Sequence, residues 1–219
     1  MTQISTTWAC WQRALFIMLS STLISAGSIN YALADDFIVE VTDSAGKVLS
    51  DAVVFLENDK TASHLQSIKT EIEQKGKQFH PLVTAAQVGA SVNFPNRDKV
   101  RHHVYSFSPA KKFELKLYSG VPASPVLFDK AGTVVLGCNI HDTMLAFVYL
   151  VDTPYFAKTD ATGRAKLSQV PAGKYQLKVW HYALQKENVT VDQPVVVNGD
   201  SKKIIVKLDV NESGLVPSY

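Results

Sequence analysis

From residue 35 onward the chain consists of short apolar runs broken by turn residues, a pattern that leaves room for strands and little else. Phe37–Thr42 and Ala52–Leu56 read as strands on either side of the turn Asp43-Ser-Ala-Gly46. In Val88–Phe94 the apolar positions Val88, Ala90, Val92 and Phe94 alternate, as on a half-buried strand. Further strands are predicted at Val100–Phe107, Phe113–Tyr118, Val126–Phe128, Thr133–Cys138 and Met144–Val151. Others follow at Ala165–Leu167, Lys174–Trp180, Val189–Val191 and Ile204–Leu208. Pro95-Asn96, Gly120, Lys130-Ala-Gly132, Thr162-Gly163, Pro171-Ala-Gly173 and Gly199 separate them. Only Lys60–Glu73 reads as a possible helical turn. The expected class is all-β, a sandwich or barrel. A hydrophobic content of 46% against 19% charged residues suits a packed core rather than a disordered chain.

Residues 1–34 differ in character. Arg13 is their one charged side chain, followed by the apolar stretch Ala14–Ala26 and then Ala32-Leu33-Ala34. A basic residue, a short apolar run and an A-x-A site predict a secretory signal peptide cut before Asp35, and hence a periplasmic protein. The run is too short and too serine-rich for a membrane span, so none is expected after signal removal. Losing Arg13 takes the net charge from +2 to +1, which gives no electrostatic reason to expect nucleic acid as a partner. Cys10, Met1 and Met18 leave with the same segment. Cys138 and Met144 are then the sole cysteine and methionine, six positions apart, and no internal disulfide can form.

Those two sulfur side chains bracket the central motif, Gly137-Cys138-Asn-Ile-His141-Asp-Thr-Met144, set between two predicted strands. Thiolate, imidazole and thioether together select copper, and a trigonal His₂Cys set with a weak axial Met is an electron-transfer site. A second histidine must come from elsewhere. Val88–Val104 offers it: a strand ends in Phe94-Pro-Asn96-Arg-Asp98, and His102-His103 opens the next. Asn96 and Asp98 are placed to brace this loop by hydrogen-bonding backbone. Taken singly, each residue has a plainer role: Cys138 as a buried core thiol, Met144 as core filler, His141 as a loop residue. His80 and His181 read as structural and His64 as solvated. Tyr118, Phe128, Tyr155 and Tyr182 read as core or rim aromatics.

The Phe-x-Asn-x-Asp stretch followed by His102 resembles the first ligand region of plastocyanin-type cupredoxins, and Cys-x-x-His-x-x-Met is similar to the ligand loop of amicyanin. Together they resemble the exported cupredoxin-like proteins labelled methylamine utilisation proteins. The resemblance implies one copper ion, cycling between Cu(I) and Cu(II), held by His102, Cys138, His141 and Met144. The family pattern His-Asn-Val puts His102 on the metal. Strand parity instead groups His103 with Tyr105 and Phe107 on what reads as the core face, so His103 stays an alternative. By the same resemblance electrons leave through the His141 edge, in an apolar patch near Pro122, Pro125 and Leu145.

The flanking segments resemble a carboxypeptidase-regulatory-like (transthyretin-like) module. Val41–Phe55 is similar to its first hairpin, and Thr159–Leu167 with Val170–Val179 to its remaining strands. The expected organisation is a signal peptide at 1–34, then a cupredoxin-like Greek-key β-sandwich at 61–151. A second, smaller transthyretin-like β-sandwich is split between 35–60 and 152–219. The implied function is a monomeric single-electron carrier that meets a redox protein partner transiently. A Cu(I) carrier or buffer and a metal-free binding module are the alternatives. No zinc-protease helix, haem-attachment motif, nucleophile elbow or phosphate loop occurs, so an enzyme is not expected.

Overall fold

The computed structural model describes residues 35–59, 69–122, 124–184, 190–198 and 203–211. The predicted signal peptide and His64 lie outside them. Every regular element described is a strand, so the chain is all-β as expected. In chain order these are β1 (Asp35–Asp43), β2 (Val53–Glu57), β3 (Lys69–Glu71), β4 (Glu73–Lys75), β5 (Gln78–His80) and β6 (Val83–Gln87). Next come β7 (Ala90–Asn93), β8 (His102–Ser108), β9 (Lys111–Tyr118), β10 (Val126–Phe128), β11 (Gly132–Gly137) and β12 (Leu145–Val151). The last five are β13 (Phe156–Lys158), β14 (Arg164–Val170), β15 (Gly173–Trp180), β16 (Val191–Val197) and β17 (Lys203–Leu208).

Two sheets, β14-β1-β17 and β13-β2-β15-β16, enclose a core that includes Phe37, Val39, Leu56, Leu167, Leu177 and Leu208. The sheets β10-β7-β3 and β6-β12-β11-β8-β9 enclose another, built around Phe94, Phe128, Leu136 and Leu150. The outer described segments thus supply one core and the segments between them the other. β2 and β12 explain how these meet. In β2, Val54 and Leu56 face the first core while Val53 and Phe55 face the other way; in β12, Val148 and Leu150 face the second core while Phe147, Tyr149 and Val151 face outward. The outward sets, with Val83 and Trp180, form a third buried cluster between the two. A strand buried on both faces needs apolar residues at consecutive positions, which is why both segments read as unbroken apolar runs. Lys158 adds a polar tie, donating from Nζ to the carbonyl of Val83 at 2.9 Å.

The possible helical turn at Lys60–Glu73 is not found in its described part, where Lys69–Glu71 and Glu73 onward are extended. β3 pairs in parallel with β7, further along the chain, and β4 forms a local hairpin with β5, so strand pairing overrides a weak helical preference. The sequence reading also missed β6, whose Val-Thr-Ala-Ala-Gln has no clean alternation and is held by parallel pairing to β12.

One turn carries a large consequence. Gly163 sits at φ +72°, and a Cβ there would lie 2.8 Å from the Val41 carbonyl and 2.9 Å from Val48 Cβ. The carbonyl of Gly163 accepts from Val41 N–H at 2.8 Å, locking the β13–β14 turn onto β1. Left-handed backbone and a backbone clash together predict that Gly163→Ala costs about 2–4 kcal/mol. Urea unfolding followed by circular dichroism measures this, and an unchanged midpoint contradicts it.

Candidate metal centre

β11 directs its even-numbered side chains inward, and Cys138, just past its end, continues the run of Val134 and Leu136 into the core. β8 lies beside it through the pair Gly137↔Tyr105. That pairing brings Cys138 within a diagonal step of His102 on the inward face. Gly137 is needed here: a Cβ would lie 2.8 Å from Tyr105 Cζ, because the tyrosine ring covers this position. Beyond Cys138 the chain turns tightly, with Met144 N–H donating to the His141 carbonyl at 2.9 Å, and enters β12.

His102, Cys138 and His141 thereby come together, with one potential ligand atom from each lying within 4.8 Å of the others. Cys138 Sγ is 3.9 Å from His102 Nδ1 and 3.8 Å from His141 Nδ1. The two rings stand 5.0 Å apart between centroids. Met144 is buried in the same apolar cluster as Cys138. No other cluster of three histidine, cysteine or acidic side chains able to hold a metal occurs among the described residues.

The inward histidine is oriented from behind. His102 Nε2 lies 2.8 Å from Asp98 Oδ2. A carboxylate only accepts, so Nε2 carries the proton and Nδ1 presents its lone pair toward the sulfur. Asp98 is itself fixed by the N–H groups of Gly76 (2.7 Å) and Lys77 (2.9 Å). Burial disfavours its charge, but the bonds from Lys77, His102 and Gly76 outweigh that and hold its pKa below the usual carboxylate value. Asn96 Oδ1 accepts from Asp98 N–H at 2.9 Å, while Asn96 Nδ2 donates to the carbonyls of Val100 and Tyr118. At His141, burial first, and then the neighbouring His102 and Lys77, hold the pKa below the usual imidazole value against the opposing pull of Asp98.

The donor set fits a metal of the copper type. Bonds of about 2.3 Å to thiolate and 2.0–2.1 Å to imidazole, opened at roughly 120°, separate sulfur from nitrogen by roughly 3.7–3.8 Å. The two sulfur–nitrogen separations, 3.9 and 3.8 Å, lie close to that spacing.

No protein-family model matches the chain, and no curated protein sequence does. Several solved structures are similar to part of it. A copper-containing nitrite reductase from Thermus scotoductus SA-01 is 22% identical with a TM-score of 0.36, over 40% of this chain and 23% of the reductase. A purple cupredoxin from Nitrosopumilus maritimus is 19% identical with a TM-score of 0.33, over 37% of this chain and 99% of its own. A reduced amicyanin with one tryptophan replaced by tyrosine is 17% identical with a TM-score of 0.35, over 45% and 98% respectively.

Strand parity misassigned β8. The face with His103, Tyr105 and Phe107, expected to be the core face, is the outer one: Phe107 is 77% exposed, whereas His102, Val104 and Ser106 are buried. Three rings in a row suggested a core, but they pack on one another in tilted pairs along the sheet, at 5.6 and 5.2 Å between centroids. His103 Nε2 points to Glu114 Oε1 at 3.0 Å, away from Cys138. Among the other histidines, His181 is buried and bonds the Ser50 carbonyl, and His80 is exposed beside the Lys75 carbonyl.

Two residues near the site had no sequence signal tying them to it, although Tyr118 reads as a core or rim aromatic. Gln74 is fully buried and donates from Nε2 to the Phe94 carbonyl and to Tyr118 Oη. Tyr118, the strand partner of His102, has its pKa pushed up to about 12 by burial, with Cys138 adding to the rise. Both lie on elements whose meeting is visible only in three dimensions. The Gly76-Lys77 turn that cradles Asp98 did carry a signal, the Lys-Gly-Lys punctuation, although nothing linked it to residue 98.

Proposed function

We propose that this protein is an exported, cupredoxin-like carrier of single electrons, with one copper ion held by His102, Cys138, His141 and Met144. One observation carries the reading: donors from two stretches 36 residues apart converge, with both Nδ1 atoms turned toward one thiol. Copper, when bound, supplies the one-electron Cu(I)/Cu(II) couple. The chain supplies the rest. Cys138 offers a thiolate from a buried strand end, His102 is held by Asp98, and Met144 completes the set from the apolar side. Because strands and a tight turn hold these groups, little has to move when one electron arrives from a donor and later leaves to an acceptor. His141 is half-buried, so its outer edge is the exit.

With this reading goes the proposed organisation: signal peptide 1–34, copper domain 61–151, and a transthyretin-like sandwich from 35–60 and 152–219. A periplasmic monomer and a transient protein partner belong to the same proposal. So does membership of the methylamine utilisation type. No substrate is transformed, so the protein is a carrier and not an enzyme. Among the described residues, no helix is long and apolar enough to cross a membrane.

The deciding experiment is the visible spectrum of copper-loaded protein beside that of Cys138→Ser. An intense thiolate-to-copper band, bleached and restored by one-electron reductant and oxidant and absent from the variant, is expected. An identical spectrum in the variant overturns the ligand set. Copper bound only as colourless Cu(I), resistant to oxidation, instead supports the carrier or buffer function.

A further inference from the structure

β4 and β5 are joined by a two-residue turn, Gly76-Lys77, because Lys75 pairs directly with Gln78. Both turn residues are left-handed, at φ +63° and +59°. Such turns favour asparagine and glycine, so a left-handed lysine is a strained choice that invites a functional reason. The conformation aims two successive N–H groups at one carboxylate, that of Asp98. Gly76 donates to Oδ1 at 2.7 Å and Lys77 to Oδ2 at 2.9 Å. The hairpin is docked firmly enough to hold that aim. Gln74 N–H donates to the Pro95 carbonyl and the Gln74 carbonyl accepts from Arg97 N–H, both at 2.8 Å, and Phe79 is buried in the core around Phe94.

Asp98 Oδ2 serves two donors at once. It accepts from Lys77 N–H and, at 2.8 Å, from His102 Nε2. No lysine or arginine side chain among the described residues pairs with this carboxylate, which is only 16% exposed. Its charge is therefore balanced by N–H groups alone, and they divide it between the turn and the ring. A carboxylate behind an imidazole N–H makes the opposite nitrogen more basic. Here that nitrogen is Nδ1, the atom facing Cys138. Every other donor on the same carboxylate draws charge away from the ring and weakens the effect.

We propose that the Gly76-Lys77 turn tunes the oxidation-state preference of the site, Lys77 being a positioning residue whose N–H limits how strongly Asp98 polarises His102. The inference rests on the copper reading for its purpose, but the hydrogen-bonded chain exists without metal. A more basic Nδ1 favours Cu(II) over the softer Cu(I). An Asp98 accepting from His102 alone would therefore lower the reduction potential, and the turn N–H groups hold it up. Two changes along one chain then act in opposite directions. Removing the Lys77 N–H strengthens the pull on His102, and removing the Asp98 charge weakens it. A turn that served only to keep the loop folded would give no such opposition.

The test replaces the amide between Gly76 and Lys77 by an ester, through the α-hydroxy analogue of lysine at position 77. This deletes one N–H and keeps the ammonium group. The first arm uses nitrogen-15-labelled apoprotein and the proton resonance on His102 Nε2, identified by its absence from His102→Ala. It should move downfield in the ester and upfield in Asp98→Asn, while Lys77→Gly, which keeps the N–H, leaves it in place. An unmoved resonance in the ester, or an equal shift in Lys77→Gly, overturns the proposal. The second arm is a spectroelectrochemical titration of copper-loaded protein. The ester should shift the preference toward Cu(II) by about threefold to tenfold, and Asp98→Asn should shift it toward Cu(I) by at least about as much. Shifts of the same sign in both overturn the proposal. Should the ester at 77 not fold, the same exchange at Gly76 removes the N–H to Oδ1 and carries the same expected directions. Protein without a thiolate-copper band fails the copper reading, and the apoprotein resonance then decides this inference by itself.

Discussion

Trp180→Ala is expected to lower the free energy of unfolding by about 3–5 kcal/mol, the range for removing a large buried aromatic. Trp180 is buried in the cluster between the two cores, stacked on Tyr149 at 4.7 Å and tilted against Phe147 at 6.2 Å. Phe55 adds a contact to Tyr149 at 5.6 Å, and Phe147 stacks on Tyr182 at 5.3 Å. Truncation leaves a cavity that strands buried on both faces cannot close, since moving either disturbs a core on its far side. The same geometry couples the two halves. Trp180 is the one tryptophan outside residues 1–34, so fluorescence reports on this interface alone in the processed protein. Urea unfolding followed by that fluorescence and by far-ultraviolet circular dichroism should give coincident transitions. An earlier fluorescence transition, or a loss below about 1 kcal/mol in the alanine variant (followed by dichroism), would show the halves to be independent.

The second large effect separates the adjacent histidines. His102→Ala is expected to abolish the thiolate-copper band, while His103→Ala leaves it in place. His102 is fully buried with Nδ1 facing Cys138; His103 lies on the opposite face, beside Glu114. Asp98→Asn should give an intermediate result. It keeps a partner for Nε2 but loses the acceptor charge, and groups behind a metal ligand typically change affinity by about 10–100-fold. Competition with a copper chelator, read by the visible band, ranks the three variants. Colour retained in His102→Ala and lost in His103→Ala would reverse the assignment.

Much of the fold was legible because period-2 alternation and turn residues report directly on backbone geometry. The segments predicted at residues 37–42, 52–56, 113–118, 126–128 and 174–180 all fall within or across observed strands. β6 and the β4–β5 hairpin were not legible: β6 favours no strand on its own and is held by β12, far along the chain, while β4 and β5 are three-residue strands too short to show a period. At the candidate site, Cys138, His141 and Met144 stood out because one short stretch holds three soft or borderline donors. The orientation of β8 did not, because an aromatic row looks alike whether it faces a core or packs upon itself in water.

The order of residues alone determined that the chain is a β protein and that sulfur and imidazole crowd one short turn, since both depend on neighbours within a few positions. Only the tertiary structure decided which face of β8 turns inward, and so which histidine meets the thiol. It also placed the Asp98 carboxylate behind the His102 ring and the Gly76-Lys77 turn behind Asp98. These depend on which strands lie side by side, and that choice is made by burying three apolar clusters at once.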